Sequence, residues 1–287
     1  MNHNIAGKTK IYGVIGNPIA HSLSPVFQNY IMERKNVNGI YIPLKIFPEN
    51  LRSSIGLLRE NFTGFNVTIP HKESIMEYLD EIDPVALEYK AVNTVKVVGG
   101  RLIGYNTDGV GFLKSLEKYN ISLKGKRVLL LGAGGAAKVI AFEVVKHQGI
   151  LTIGNRNMSR AEDIKSEITS HFNMPIDVIG LRDITPSYDI VINSTSVGMA
   201  PDTEKSIVDS YILEGANLVY DIVYNPRETK LLKYGRGHGI MAINGLSMLI
   251  YQGLKSFEIW TGERVNPEEA DKTHQVLEKA IYGEGII

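Results

Sequence analysis

Residues 127–156 constrain this chain more than any other stretch. They read RVLLLG, then AGGAAKVIAFEVVKHQ, then GILTIGNR. An apolar, branched run ends in Gly132-Ala133-Gly134-Gly135-Ala136-Ala137, a helix-length amphipathic segment follows, and a second apolar run ends at Asn155-Arg156. A strand that turns through glycines into a helix N-terminus suits a pyrophosphate, because small residues let the backbone approach and free N–H groups face the anion. The tip of the second strand then reads the ribose, in NAD sites with a carboxylate about 20 residues past the glycines. Here the tip is Asn155-Arg156, with Arg160 a turn later and no carboxylate before Glu162. A guanidinium suits a 2′-phosphate, so the segment predicts NADP(H). A lone glycine turn is often only a tight turn. The strand, helix, second strand and basic tip together outweigh that simpler reading.

The chain has 287 residues, enough for two compact domains. Its 31 basic and 31 acidic residues balance, giving no electrostatic reason to expect nucleic acid or an anionic membrane surface. The absence of cysteine excludes disulfides, thiolate nucleophiles and cysteine metal sites. The seven histidines show no metal-ligand spacing; His21 reads as structural, and no metal is expected. No apolar run reaches the ~18 residues of a membrane span. The N-terminal MNHNIAGKTK lacks the apolar centre of a signal peptide, so a cytoplasmic globular protein is expected.

Strands and helices alternate almost throughout, which predicts an α/β protein with largely parallel sheets. Strands are expected at 10–16, 40–46 and 64–70, with helices starting near Ser24-Pro25 (serine as N-cap) and over 48–61 and 71–79. Gly99-Gly100 signals a hairpin between AVNTVKVV and RLIGYNT. Asp108 stands at a natural N-cap position for GVGFLKSLEKY. Later strands are expected over 176–181, 188–194, 217–223 and 239–244, and helices over 246–260 and 267–281. About 105 residues of α/β pattern precede the glycine turn. The pattern therefore predicts a substrate domain over 1–108, a Rossmann-type doubly wound NADP domain over 109–245, and final helices, 246–287, that return to the first domain. Long helices crossing between the two would make a natural hinge.

A reductase also needs a polar cage for substrate and a proton donor. Open α/β sheets bind ligands beyond the C-terminal ends of their strands. There the first domain offers Ser22 and Ser24 after the first strand, Asn66 and Thr68 on the third, Lys72 after it, Asn93 on the hairpin, and Asp108 at its exit. One cation, one anion and several short polar groups suit a small polyol acid. Taken singly, Lys72 reads as an exposed helix-start lysine and Asp108 as a plain cap.

Eight segments in one order reverse those simpler readings: GNPIAHSLSP (16–25), NVTIPHK (66–72), AVNT (91–94), YNTDGVGF (105–112), GAGGAA (132–137), NSTSVGM (193–199), YDIVYNP (220–226) and NGLSMLIYQG (244–253). Together they resemble the shikimate/quinate dehydrogenase family from about residue 11 to residue 260. The resemblance implies a two-domain fold and NADPH-dependent reduction of 3-dehydroshikimate to shikimate, a step toward chorismate and the aromatic amino acids. It implies a small-molecule substrate and leaves a homodimer open. It makes Ser22 and Ser24 the carboxylate ligands. Thr68, Asn93 and Gln252 become hydrogen-bonders to the ring hydroxyls, with Asn66 and Tyr224 lining the same cavity. Lys72 and Asp108 are the implied catalytic pair. Gly132, Ala133, Gly134, Gly135 and Ala136 match the pyrophosphate turn, and Asn155, Arg156, Asn157 and Arg160 the adenosine-phosphate clamp. Ile222 and Gly245 fall beside the nicotinamide. Many members read SPxxHN where this chain has Ser24-Pro25-Val26-Phe27-Gln28-Asn29. Gln28 is expected inside the following helix, away from the chemistry.

Lys72 is the expected proton carrier. A lysine's usual pKa is about 10.4, and acid–base work near neutrality favours about 7–8. Desolvation would lower it and a neighbouring Asp108 would raise it, so the two effects oppose each other and the two residues are expected to act as a coupled pair. The competing expectations are a quinate/shikimate dehydrogenase using NAD, which calls for a carboxylate near 150–155, and a ligand-sensing paralogue without catalysis, which calls for loss of Lys72 or Asp108. Neither requirement is met.

Overall fold

The computed structural model describes residues 5–283, so the first four residues of the polar N-terminal stretch and the last four of the chain lie outside the described residues. In chain order the elements begin with β1 (Lys10–Gly16), α1 (Ser24–Arg34), β2 (Gly39–Lys45), α2 (Leu51–Asn61), β3 (Phe62–Val67), β4 (Glu81–Ile82), α3 (Pro84–Tyr89), β5 (Thr94–Val98) and β6 (Arg101–Tyr105). There follow α4 (Asp108–Glu117), β7 (Arg127–Leu131), α5 (Gly135–Lys146), β8 (Ile150–Asn155), α6 (Met158–Thr169), β9 (Asp177–Gly180), β10 (Ile190–Asn193), β11 (Leu218–Asp221), α7 (Lys230–Gly237), β12 (Met241–Asn244), α8 (Leu246–Thr261) and α9 (Pro267–Tyr282). Short 3₁₀ turns cover Pro48–Asn50, Ser74–Tyr78 and Ser210–Leu213.

The chain divides into two compact units. One runs to Gly111 and resumes at Ile250; the other is Phe112–Leu249. The sequence pattern drew those boundaries at 108 and 245. The units divide inside α4 and α8, which continue through both points.

The first unit holds a six-stranded sheet in the order β2-β1-β3-β5-β6-β4. It is mixed rather than wholly parallel: β1 pairs parallel with β2 and β3, while β3, β5 and β6 pair antiparallel. The β5–β6 pair is a hairpin closed by the two-residue turn at Gly99 (φ +57°) and Gly100 (φ +77°), left-handed values that glycine adopts without strain and that match the twist of a tight hairpin. One face of this sheet packs Ile15, Phe65, Val67 and Val95 against Leu51, Ile55 and Leu58 of α2. At ~1.5–3 kcal/mol per buried large side chain, this cluster is a main support of the unit. Near the C-terminus of α8, Trp260 donates its indole N–H to the Val95 carbonyl at 2.9 Å and occupies the place a side chain at Gly64 would take. That is a packing role.

The second unit holds a six-stranded, wholly parallel sheet in the order β12-β11-β10-β7-β8-β9. Val128 to Leu131 of β7 are all fully buried, as expected of a central parallel strand covered on both faces. Leu129 and Leu131 share one core with Val191, Val219, Leu231 and Leu232. The chain crosses from β7–β9 on one side to β10–β12 on the other. The switch point therefore lies between β7 and β10, where doubly wound folds bind nucleotides.

Three local expectations are corrected. Ser24 is the first residue of α1 rather than its cap; Leu23 takes the cap position and no side chain caps the helix. Asp108 likewise begins α4, with its carboxylate bonded elsewhere. The helix expected over 71–79 is only a 3₁₀ turn at Ser74–Tyr78, because the backbone turns extended at Leu79 and Asp80 N–H bonds the Leu102 carbonyl.

Candidate active site

In the first unit, strand register assembles the site. Asn66 on β3 stands opposite Thr94 on β5, and Thr94 opposite Tyr105 on β6. The residues just outside the hairpin, Asn93 and Asn106 to Asp108, are thereby brought together. Lys72 Nζ donates to Asp108 Oδ2 at 2.5 Å. The other carboxylate oxygen accepts from Asn93 Nδ2 at 2.7 Å. Asn93 is itself held: its Oδ1 accepts from Thr107 N–H at 2.9 Å and the Thr94 hydroxyl at 2.8 Å, and its Nδ2 reaches Gln252 Oε1 of α8 at 3.4 Å.

A second layer lies beneath. Asn66 Nδ2 donates to Thr94 Oγ1 at 3.1 Å and Ser256 Oγ at 2.9 Å, and Asn66 Oδ1 accepts from the Tyr41 hydroxyl at 2.7 Å. Tyr41 is also a hydrogen-bond partner of Ser24, and complete burial pushes its phenol well above the usual range, so it remains a hydroxyl. Asn66, Asn93, Thr94, Thr107 and Asp108 are all buried, where each missing bond would cost about 1–3 kcal/mol. The cluster is consequently rigid. By contrast, the hydroxyls of Ser22, in the half-exposed turn after β1, and Thr68, just past β3, bond nothing among the described residues, leaving them for a ligand.

The second unit presents its candidates on the edge formed by the C-terminal ends of β7, β8, β11 and β12. Gly132 adopts φ +113°, and a Cβ there would stand 2.7 Å from Ser194 Oγ and Thr195 Cγ2, so only glycine fits. After Ala133, Gly134 caps α5 without a side-chain bond, and the first turn of α5, Gly135 and Ala136 included, holds no acid. A Cβ at Gly134 or Gly135 would meet no atom within 4 Å. An open-sided turn at an uncapped helix N-terminus fits a pyrophosphate.

Beyond β8, Asn155 Nδ2 donates to the Asn157 carbonyl at 2.8 Å, and Asn157 caps α6 with no side-chain bond. Arg156 and Arg160 are exposed there, and neither pairs with a carboxylate among the described residues. Two unpaired cations at a helix N-terminus oppose the helix dipole, an arrangement that an incoming anion would relieve. After β11 and β12, Gly245 sits so close to Ile222 that a side chain would overlap the Ile222 carbonyl. Tyr224 is mostly buried, which raises its pKa above the usual range.

Sequence comparison matches the substrate-binding domain model of shikimate dehydrogenase at residues 14–95, the shikimate/quinate 5-dehydrogenase model at 114–230, and the shikimate 5-dehydrogenase C-terminal domain model at 245–273. A shikimate dehydrogenase (NADP(+)) of Methanococcus maripaludis strain S2 is 44% identical over 262 residues, covering 90% of this chain and 94% of that protein. The chain belongs to the shikimate dehydrogenase family. A crystal structure of a shikimate dehydrogenase in complex with NADP+ superposes with a TM-score of 0.91 at 41% identity, covering 96% of this chain and 97% of that one. The enzyme of Thermus thermophilus, solved with NADP(H) and shikimate, gives 0.85 at 32% identity, covering 93% and 99%.

Of the residues expected in the substrate site, Lys72, Asp108, Asn93, Gln252, Asn66 and Ser24 are joined through hydrogen bonds or one shared partner. Sequence reasoning passed over Tyr41, Thr94, Thr107 and Ser256, which carry the bonds between them. Thr94 and Thr107 were within reach, since each adjoins a chosen residue in AVNT and YNTDGVGF. Tyr41 and Ser256 carry no local signal. Gln28 lies inside α1 as expected, yet it is fully buried and its Nε2 donates to the Gly253 carbonyl at 2.7 Å, next to Gln252. Its Oε1 has no partner among the described residues.

Proposed function

We propose that this chain catalyses the reversible NADPH-dependent reduction of 3-dehydroshikimate to shikimate, in the cytoplasm, with the first unit binding substrate and the second binding NADP. The observation that carries this reading is the Lys72–Asp108 pair, bonded at 2.5 Å and pinned by Asn93 within a buried set of hydroxyl-reading side chains. NADPH, when bound at the glycine turn, supplies a hydride to the carbonyl carbon. The ammonium of Lys72 donates the proton that turns the carbonyl oxygen into a hydroxyl, and in the reverse direction neutral Lys72 takes it back. Asp108 aims Lys72, and Asn93 holds Asp108 while its neighbour Gln252 reads ring hydroxyls with Thr68. The free hydroxyl of Ser22, together with Ser24, receives the carboxylate. Asn66 completes the lining in the first unit, and in the second Tyr224 stands with Ile222 and Gly245, which border the nicotinamide. Arg156 and Arg160 receive the 2′-phosphate, with Asn155 and Asn157 shaping the turn. Fixed donors and acceptors of this kind lower a barrier because they need no reorganisation during reaction.

The test is a steady-state assay of NADP+ and NAD+ against shikimate and quinate. Shikimate with NADP+ should give the highest kcat/KM. A clear preference for NAD+ would remove the role given to Arg156, and faster quinate oxidation would change the substrate.

A further inference from the structure

Asp221, the last residue of β11, is a fully buried carboxylate with no ion-pair partner among the described residues. Its three bonds go to three different segments. Asn193 Nδ2 at the end of β10 donates to Oδ1 at 2.9 Å, the Val223 N–H donates to the same oxygen at 3.0 Å, and the hydroxyl of Thr229, the cap of α7, donates to Oδ2 at 2.6 Å.

The connection extends outward from each partner. Asn193 Oδ1 accepts from Thr195 N–H at 3.0 Å and Thr195 Oγ1 at 2.7 Å, and Asn193 Nδ2 also reaches the Val197 carbonyl at 3.2 Å. Thr195 is one of the residues that Gly132 must clear. The Gly245 N–H donates to the Val223 carbonyl at 3.2 Å, and Ile222 N–H to the Asn193 carbonyl at 2.9 Å. One carboxylate thus ties the loops after β10 and β11 to the start of α7, on the edge that carries the glycine turn.

We infer that Asp221 is a positioning residue for the nicotinamide cofactor, fixing the backbone that presents Ile222 and Gly245 and the Ser194–Thr195 wall beside Gly132. This rests on the NADP-dependent reading above. A purely structural role would be served as well by a neutral side chain, since burying a carboxylate without a cation is unfavourable. What the charge adds is stronger, shorter bonds to the loops. The groups facing it are neutral: Asn193 from β10, Val223 from the following loop and Thr229 from α7. Its chain neighbour Tyr220, bonded to Ser115, is pushed up by burial and also stays neutral. Burial pushes Asp221 up to about 6, so the charge is lost just below neutrality.

The experiment compares wild type, Asp221→Asn and Thr229→Val in the full-length enzyme, measuring KM for NADP+, KM for shikimate and kcat from pH 5.5 to 8.5, with melting temperatures alongside. Asp221→Asn should raise KM for NADP+ about tenfold at pH 8, as expected for one lost charge-assisted bond, and move KM for shikimate much less. The wild-type KM for NADP+ should climb more steeply than the Asn variant's as pH falls through about 6, because protonation of the cofactor's own 2′-phosphate acts on both and that of Asp221 on the wild type alone. Thr229→Val should shift KM for NADP+ the same way by less, and it decides the matter alone if Asp221→Asn does not fold. Variants with wild-type KM and pH profile, changed only in melting temperature, overturn the inference. A wild type that does not oxidise shikimate with NADP+ overturns the functional reading instead, and the inference with it.

Discussion

In the first unit the candidate site is a closed set of hydrogen bonds: Lys72, Asp108, Asn93, Thr94, Asn66 and Ser256 hold one another, while the hydroxyls of Ser22 and Thr68 bond nothing among the described residues. In the second unit the site is made of what is left unsatisfied. Its glycine turn has open space above Gly134 and Gly135, an uncapped helix end and two guanidiniums that pair with no carboxylate among the described residues. The difference follows from the chemistry each must do. Proton transfer needs a donor held to a fraction of an ångström, so its neighbours are committed in advance. A polyanion can be caught by free N–H groups and charge, which are strongest when nothing else uses them.

The largest expected effect tests the committed side. Lys72→Ala should lower kcat by about 10²–10⁴-fold, the usual contribution of a general acid–base group, with KM for shikimate changed little. A kcat within a few-fold of wild type would mean that another group carries the proton.

Next comes a part of the second unit that behaves like the first, the buried Asp221. Its folded pKa of about 6 lies above the ordinary carboxylate value. The fold therefore retains the proton longer than the unfolded chain does. The stability it contributes is full below about pH 4 and is lost as pH rises through about 6. Relative to Asp221→Asn, wild type should lose about 3 kcal/mol across that window, measurable by urea denaturation at successive pH values. The variant gaining stability at pH 7.5 while losing cofactor affinity would be a trade of stability against function. Parallel pH curves for both proteins would show that Asp221 does not titrate there.

On the open side, Arg156→Ala should raise KM for NADP+ by about 10–100-fold, the worth of a hydrogen bond to a charged group, and leave KM for NAD+ nearly unchanged. Equal losses would mean that Arg156 contacts something other than the 2′-phosphate. The smallest effect concerns the second layer of the closed cluster. Ser256→Ala should cost about 1–3 kcal/mol in thermal or urea unfolding by leaving Asn66 and Thr94 short of a partner. No loss would show that water replaces the hydroxyl.

The glycine turn was readable because its signal is local: Gly132, Gly134 and Gly135 follow an apolar strand and precede a helix within one short window. Arg156 and Arg160 were readable for the same reason. Other local signals misled. Ser24 and Asp108 looked like helix caps because that is the commonest use of serine and aspartate before a helix, but Tyr41, and Lys72 with Asn93, take their polar atoms instead. The helix α6 left little trace, since its buried stripe is only Ala161, Ile164 and Ile168 on an otherwise polar segment. Nothing in the sequence signalled the bond from Gln28 to the Gly253 carbonyl, because 225 residues separate the two.

By itself the sequence determined the alternation of strands and helices and the glycine turn with its cationic tip, because each depends on residues close together in the chain; Lys72 and Asp108 stood out only through the family resemblance. The tertiary structure alone decided that β3 pairs antiparallel with β5, that Asn93 holds Asp108, and that Tyr41, Ser256 and Asp221 bond the segments around them. Those facts depend on strand register and on buried hydrogen bonds between residues far apart in sequence, and such bonds form only once the sheets have brought their partners out of water and into reach.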